Sequence, residues 1–135
     1  LLKIMERTLL RSLHNKLLGV SRVLMILPTY EKDHYQLDNG EELNKEYPDS
    51  FWIPEKKIRE SLKVGDSVKL IFRMEETKGS EDVSVERMWV EIIAKYPNYY
   101  EGKLDNDPGG SDCVLCGQLV IFQSSHVIEV YEENT

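Results

Sequence analysis

The sequence is poor in cysteine, lacks long apolar runs and has no excess of positive charge. Each of these absences excludes something. Two cysteines in 135 residues, three positions apart, cannot make the framework of a disulfide-stapled scaffold. No apolar run approaches the roughly 20 residues of a membrane-spanning helix. Near the start the longest is Val23-Leu24-Met25-Ile26-Leu27, which ends at Pro28. It is shorter than the apolar region of about 7–15 residues in a secretory leader, and no small-residue cleavage site follows. These readings lead to the expectation of a cytoplasmic protein. Lys and Arg number 17 against 24 Asp and Glu, a net charge of −7. Phosphate contacts need a basic surface, so nucleic acid is not the expected partner. Eight glycines and five prolines are far from a collagen-like composition. There is also no glycine-rich phosphate loop and no paired-histidine motif.

What is present is ordinary for a soluble globular domain. Hydrophobic residues make up 41% and charged residues 30%. A chain of this length buries about two thirds of its unfolded surface, enough for one domain without a staple. The charge is unevenly spread. Residues 1–27 carry five basic side chains against Glu6, a net of +4, which leaves −11 on the rest. This basic arm can fold back onto its acidic body or bind an anionic surface, since opposite charges attract within about a Debye length.

Leu2, Met5, Leu9, Leu13 and Leu17 recur at three or four residues, with Lys3, Arg7, Arg11 and Lys16 between them. The spacing predicts an amphipathic helix over 2–18, ended by Gly19. A strand is expected over 21–30 and a tight turn at Asp38-Asn39-Gly40. The acidic stretch 41–50 reads as a loop. Ile53 precedes Pro54 and is therefore extended. Pro54 then opens a short helix over 55–62, with Ile58 and Leu62 four apart on one face. Period-2 alternation predicts strands over 67–74, 85–95, 99–104, 118–122 and 127–131, with a turn at Pro97-Asn98. An echo links Leu62–Leu70 to Val114–Phe122, each of the form apolar-x-x-Gly-polar-x-Val-x-apolar. It places Gly65 and Gly117 at matching turns with positive φ.

The expected class is α+β: a small antiparallel β-barrel or strongly bent sheet, SH3-like, preceded by an N-terminal amphipathic helix. An open five-stranded sheet with a helix on one face is the alternative. Residues 1–30 form the helix and arm, and 31–135 a single β-rich domain.

Few residues suggest chemistry. Cys113-Val114-Leu115-Cys116 has half-zinc or redox spacing, but a structural zinc wants four ligands and His126 is the only histidine nearby. The simpler reading makes Cys116 a turn residue, equivalent to Val64 in the echo. The acidic stretch Asp105–Asp112 fails the calcium-loop pattern, with Gly109 at the fifth position and Cys116 at the twelfth. Ser124-Ser125-His126 are chain neighbours, which is not the geometry of a nucleophile and its base. No catalytic residue, no metal and no cofactor is expected.

The strongest strand is more informative. Alternation puts Met88, Val90 and Ile92 on one face, the natural core, and Arg87, Trp89 and Glu91 on the other. Trp and Arg are enriched in binding hot spots. The bland alternative is a Trp half-covered by the arm, with Arg87 paired to an acid. Trp52, with Phe51, Tyr35 and Tyr47, makes the arm rich in aromatics, a contact platform or half-buried packing at a sheet edge, and Asn106 and Asp107 lie on the loop after the next strand.

Glu86-Arg87-Met88-Trp89-Val90-Glu91 and Gly102-Lys103-Leu104-Asp105-Asn106-Asp107-Pro108 together resemble the bacterial domain of unknown function 2314, the YegJ-like family. Phe51–Pro54, Leu62–Phe72, Cys116–Phe122 and His126-Val127-Ile128 extend the resemblance over about residues 51–130. Gln118, where the family prefers Asp, and the longer Pro108–Cys113 stretch depart from it. The resemblance implies a small α+β fold and a bacterial origin, and brings no activity with it.

Three functional expectations follow. The first is a non-enzymatic protein-binding domain using Arg87, Trp89, Glu91, Asn106, Asp107 and Trp52, of which a toxin-immunity protein is one form, because a −11 body suits a basic partner. The second is a small-ligand or hydrolytic domain with a pocket between arm and barrel, built on Asp105, Asp107 and His126. The third is a homo-oligomer joined through residues 2–18.

Overall fold

The computed structural model of the protein describes residues 25–133. The helix expected over 2–18 lies outside them. The architecture is α+β, with few and short helices and one curled antiparallel sheet. In chain order come α1 (Tyr30–Asp33), β1 (Tyr35–Leu37), α2 (Gly40–Glu46), α3 (Lys56–Glu60), β2 (Ser67–Glu75), β3 (Val83–Tyr96), β4 (Tyr99–Leu104), β5 (Leu119–Phe122), a 3-10 turn (Ser124–His126) and β6 (Glu129–Val130). The sheet order is β1-β2-β3-β4-β5, and β6 returns to pair with β2 beside β1. This return curls the sheet into a half-barrel.

Alternation builds the core. Val68, Leu70, Phe72 and Met74 of β2 meet Met88, Val90 and Ile92 of β3 on the inner face. Tyr100 and Leu104 of β4 and Val120 and Phe122 of β5 complete the wall, with Tyr100 stacked on Phe122 at 5.3 Å. Gly102 sits between them because a Cβ there would overlap Val90 Cγ1 and crowd Phe122. A bulge between Ile92 and Ala94 shifts the register against β4, while alternation along β3 continues, with Ile92 buried and Ile93 exposed. Pro97 and Asn98, the latter at φ 66°, form the two-residue connection to β4. The echoed turns behave alike, with Gly65 at φ 97° and Gly117 at φ 90°.

Three local expectations are corrected. Residues 25–29 form no strand, and Tyr30 instead begins a helix capped by the Thr29 hydroxyl. Asn39 is a helix cap rather than part of a hairpin turn. Its side-chain oxygen accepts from Glu42 N at 3.0 Å and starts α2 inside the stretch expected to be a loop. In α3 the buried residue is Arg59, while Ile58 is 47% exposed. Arg59 Nε donates to Pro54 O at 2.8 Å and Nη1 to Ser124 O at 2.9 Å, and Nη1 lies 2.9 Å from Glu41. One guanidinium thus ties α2, α3 and the 3-10 turn together.

Candidate binding face

The inner face of β3 is spent on the core, so its outer residues are free to do something else. Arg87 and Glu91 are exposed and Trp89 is half-buried, on the face opposite Met88, Val90 and Ile92. Register decides their neighbours. Lys69 of β2 lies directly opposite Trp89, and Glu129 of β6 directly opposite Lys69. The Lys69 ammonium sits 4.6 Å from the centre of the Trp89 ring and 3.0 Å from Glu129 Oε2. Tyr131 meets Trp89 edge-on, with ring centres 5.8 Å apart and planes at 89°. The indole is therefore bracketed by a cation and a phenol rather than left loose. Among the described residues Arg87 has no carboxylate partner. Its guanidinium lies 5.4 Å from the centre of the Phe51 ring. The next residue, Trp52, is 77% exposed.

Asn106 reaches the same strand, though as a clamp. Its Oδ1 accepts from Trp89 N at 2.5 Å, while Asp105 N donates to Trp89 O at 2.9 Å. Further along, Gly109 N and Gly110 N donate to the two oxygens of Glu86 at 3.0 and 2.9 Å. Asp112 N donates to Glu76 O. The missing side chain of Gly110 permits this close approach, since a Cβ there would strike Ser84. Asp107 is exposed on this loop, and Glu91 lies opposite Lys103 in the ladder. The structure thus brings Arg87, Trp89 and Glu91 onto one face of β3, with Asn106 bonded to that strand from the loop after β4. Lys69, Phe51, Glu129 and Tyr131 belong to the face as well. Register between strands identifies Lys69 and Glu129, and ring contacts identify Phe51 and Tyr131.

The other candidates take structural places. Burial pushes the Cys113 thiol up, so it stays protonated, and the exposed Cys116 has its Sγ 3.7 Å from Leu104 O. Among the described residues no group of three His, Cys, Asp or Glu side chains could hold a metal ion. His126 is buried in the 3-10 turn. Its Nδ1 accepts from Gln123 N at 2.9 Å, which leaves the ring proton on Nε2, and burial pushes its pKa down to about 4. Asp105 and Asp107 are instead exposed on the loop after β4. At the far end of β2, His34 Nδ1 donates to Glu75 Oε1 at 2.8 Å, and this bond holds the Glu75 carboxyl below its ordinary range. The other Glu75 oxygen accepts from Gly79 N at 3.0 Å, so the pair braces the β2–β3 loop.

No helix among the described residues is long and apolar enough to cross a membrane. Compared with family models, curated proteins and solved structures, the chain matches none.

Proposed function

We propose that this is a non-enzymatic protein-binding domain that engages its partner through the outer face of β3. The observation carrying this reading is the Trp89 platform. A large aromatic is held rigid by Lys69 and Tyr131, next to Arg87 on Phe51 and an exposed Trp52. Trp and Arg side chains are enriched in binding hot spots. The described residues carry twelve Lys and Arg against twenty-three Asp and Glu, a net of −11. Such a field suits a basic protein, and the neutralisation of a basic toxin by an immunity-type partner falls within this class. The resemblance to the YegJ-like family is compatible with it and assigns no reaction.

The test begins with crosslinking and mass spectrometry in a bacterial lysate to name a partner, followed by titration of that partner against variants. Trp89→Ala and Arg87→Ala should each weaken binding by about tenfold or more, at or above 1.4 kcal/mol. Circular dichroism and thermal unfolding should show a folded domain in both variants. Undiminished affinity in the double variant would remove the proposal.

A further inference from the structure

The first half of β3 has a neighbour on one side only. On the far edge of β2, Lys69 O accepts from Ile128 N, Ile71 O accepts from Asp38 N, and Glu75 N donates to His34 O. The odd-numbered residues of β2 therefore turn their main-chain groups away from β3. Arg73 lies opposite Val85 and Ile71 opposite Arg87, so Val83, Val85 and Arg87 in turn point theirs away from β2. Strand β4 cannot meet them, because its pairing with β3 begins only at Val90. Trp89 is satisfied by Asp105 and Asn106. The main-chain N–H and C=O of Val85 and Arg87 have no hydrogen-bond partner among the described residues. The loop after Asn106 grips the Glu86 side chain and leaves the strand edge itself unpaired.

Proteins usually blunt such an edge with Pro, Lys, a bulge or a cover. Between Val83 and Arg87 there is no Pro, no Lys and no bulge; the charged side chains there are Glu86, held by Gly109 N and Gly110 N, and Arg87. The bulge in β3 lies at Ile92 to Ala94, where β4 already pairs, and Val83 and Val85 are each 47% exposed. The Arg87 guanidinium is turned onto Phe51.

We propose that the open edge of β3 from Val83 to Arg87 takes up an extended basic segment of the partner protein as an added strand. This deepens the binding-face reading and rests on it for there being a protein partner at all. Strand addition draws its affinity from main-chain hydrogen bonds and its selectivity from alternate side chains. The two outward residue positions offer donors and acceptors at the spacing an extended segment matches. The charge of that segment follows from the ends of the edge. Glu81 and Asp82 immediately precede Val83, and Asp105 and Asp107 lie beyond Trp89, all exposed. Apolar residues at alternate positions would lie beside Val83 and Val85, with Lys or Arg between. A second copy of this chain brings the same acidic charge to the contact and is disfavoured by it.

The test uses the full chain, labelled with nitrogen-15, and an end-capped octapeptide of alternating Lys and Val. At saturation the amide protons of Val85 and Arg87 should exchange about tenfold or more slowly than in the free protein. A peptide of the same sequence and charge, N-methylated at alternate residues, should bind about tenfold more weakly, because it cannot complete the ladder. Val85→Pro removes an N–H that no described residue uses and should abolish the slowed exchange. Equal binding of the methylated peptide would show charge attraction alone and overturn the proposal. So would protection that grows with protein concentration in the absence of peptide, which marks a second copy, or no protection at any peptide concentration. With the natural partner, Val85→Pro and Trp89→Ala separate the two readings. Loss with Trp89→Ala alone ends the strand-addition reading and keeps the face. Loss with Val85→Pro alone does the reverse, and loss with both supports both.

Discussion

His126 shows how one buried side chain ties this fold to pH. Its Nδ1 closes the 3-10 turn by accepting from Gln123 N, and burial pushes its pKa down to about 4 from the ordinary 6.5, a shift that Glu41 opposes. The unfolded chain binds a proton on this ring below about pH 6.5, and the folded chain refuses it until about pH 4. Stability is therefore full above that window and falls as pH drops through it. A shift of this size corresponds to about 3 kcal/mol across the window. His126→Asn offers Oδ1 to the same N–H and cannot titrate there. Urea midpoints measured from pH 7.5 to 4.5 should fall for the wild type and stay nearly level for this variant above pH 5. Parallel curves would show that His126 does not carry the acid sensitivity. Glu75 adds to the loss at lower pH. Its carboxyl is held below the usual range by His34 and by loop N–H groups, so the stability it contributes is present above its unfolded value and disappears as pH falls through the folded one.

Among the elements, the short helices depend on Arg59 more than on their own sequence. Its guanidinium serves Pro54 O, Ser124 O and Glu41, and its carbonyl accepts from the Tyr100 hydroxyl at 2.8 Å. Arg59→Met keeps the stem and removes every donor, so it should cost about 2–3 kcal/mol by losing charge-assisted bonds. The loss is read as a lowered urea midpoint and faster exchange in α2, with the β2–β3 ladder protected as before. The same contrast explains what could be read in advance. Ser67–Glu75, Val83–Tyr96 and Tyr99–Leu104 fall within two residues of their expected spans, because Val68, Leu70, Phe72 and Met74 of β2 and Met88, Val90 and Ile92 of β3 put an apolar core residue at every second position. The α2 sequence GEELNKE contains one apolar residue, Leu43, and so has no helical stripe to detect. It exists through the Asn39 cap and through Glu41 reaching Arg59. Strand β6 is only two residues long because Ser124–His126 turn first. The outer face of β3 divides the same way. Arg87, Trp89 and Glu91 were legible from alternation alone. Lys69 and Tyr131 become visible only once β2 is registered against β3 and β6 has closed onto β2. The clamp of Asn106 on Trp89 N was not legible, since it depends on β4 stopping at Leu104.

At the scale of the whole molecule, charge acts on folding and on recognition with opposite signs. The described residues hold −11, and the full chain −7. Like charges repel more in the compact state than in the expanded one, so self-repulsion destabilises the fold and salt relieves it. A basic partner is drawn by the same field, and salt weakens that attraction as the screening length falls from about 30 Å at 0.01 M to about 3 Å at 1 M. Raising sodium chloride from 0.02 to 0.5 M should therefore raise the melting temperature by a few degrees, where about 1 kcal/mol corresponds to roughly 4 °C for a domain of this size. Over the same range the association rate with a basic partner should drop by about tenfold or more. The strand-edge hydrogen bonds are neutral, so the dissociation rate should move far less than the association rate. Stopped-flow binding and thermal scans on one set of buffers measure all three quantities. If association is insensitive to salt while stability rises with it, the acidic field shapes the fold only, and the partner is not chosen by its positive charge.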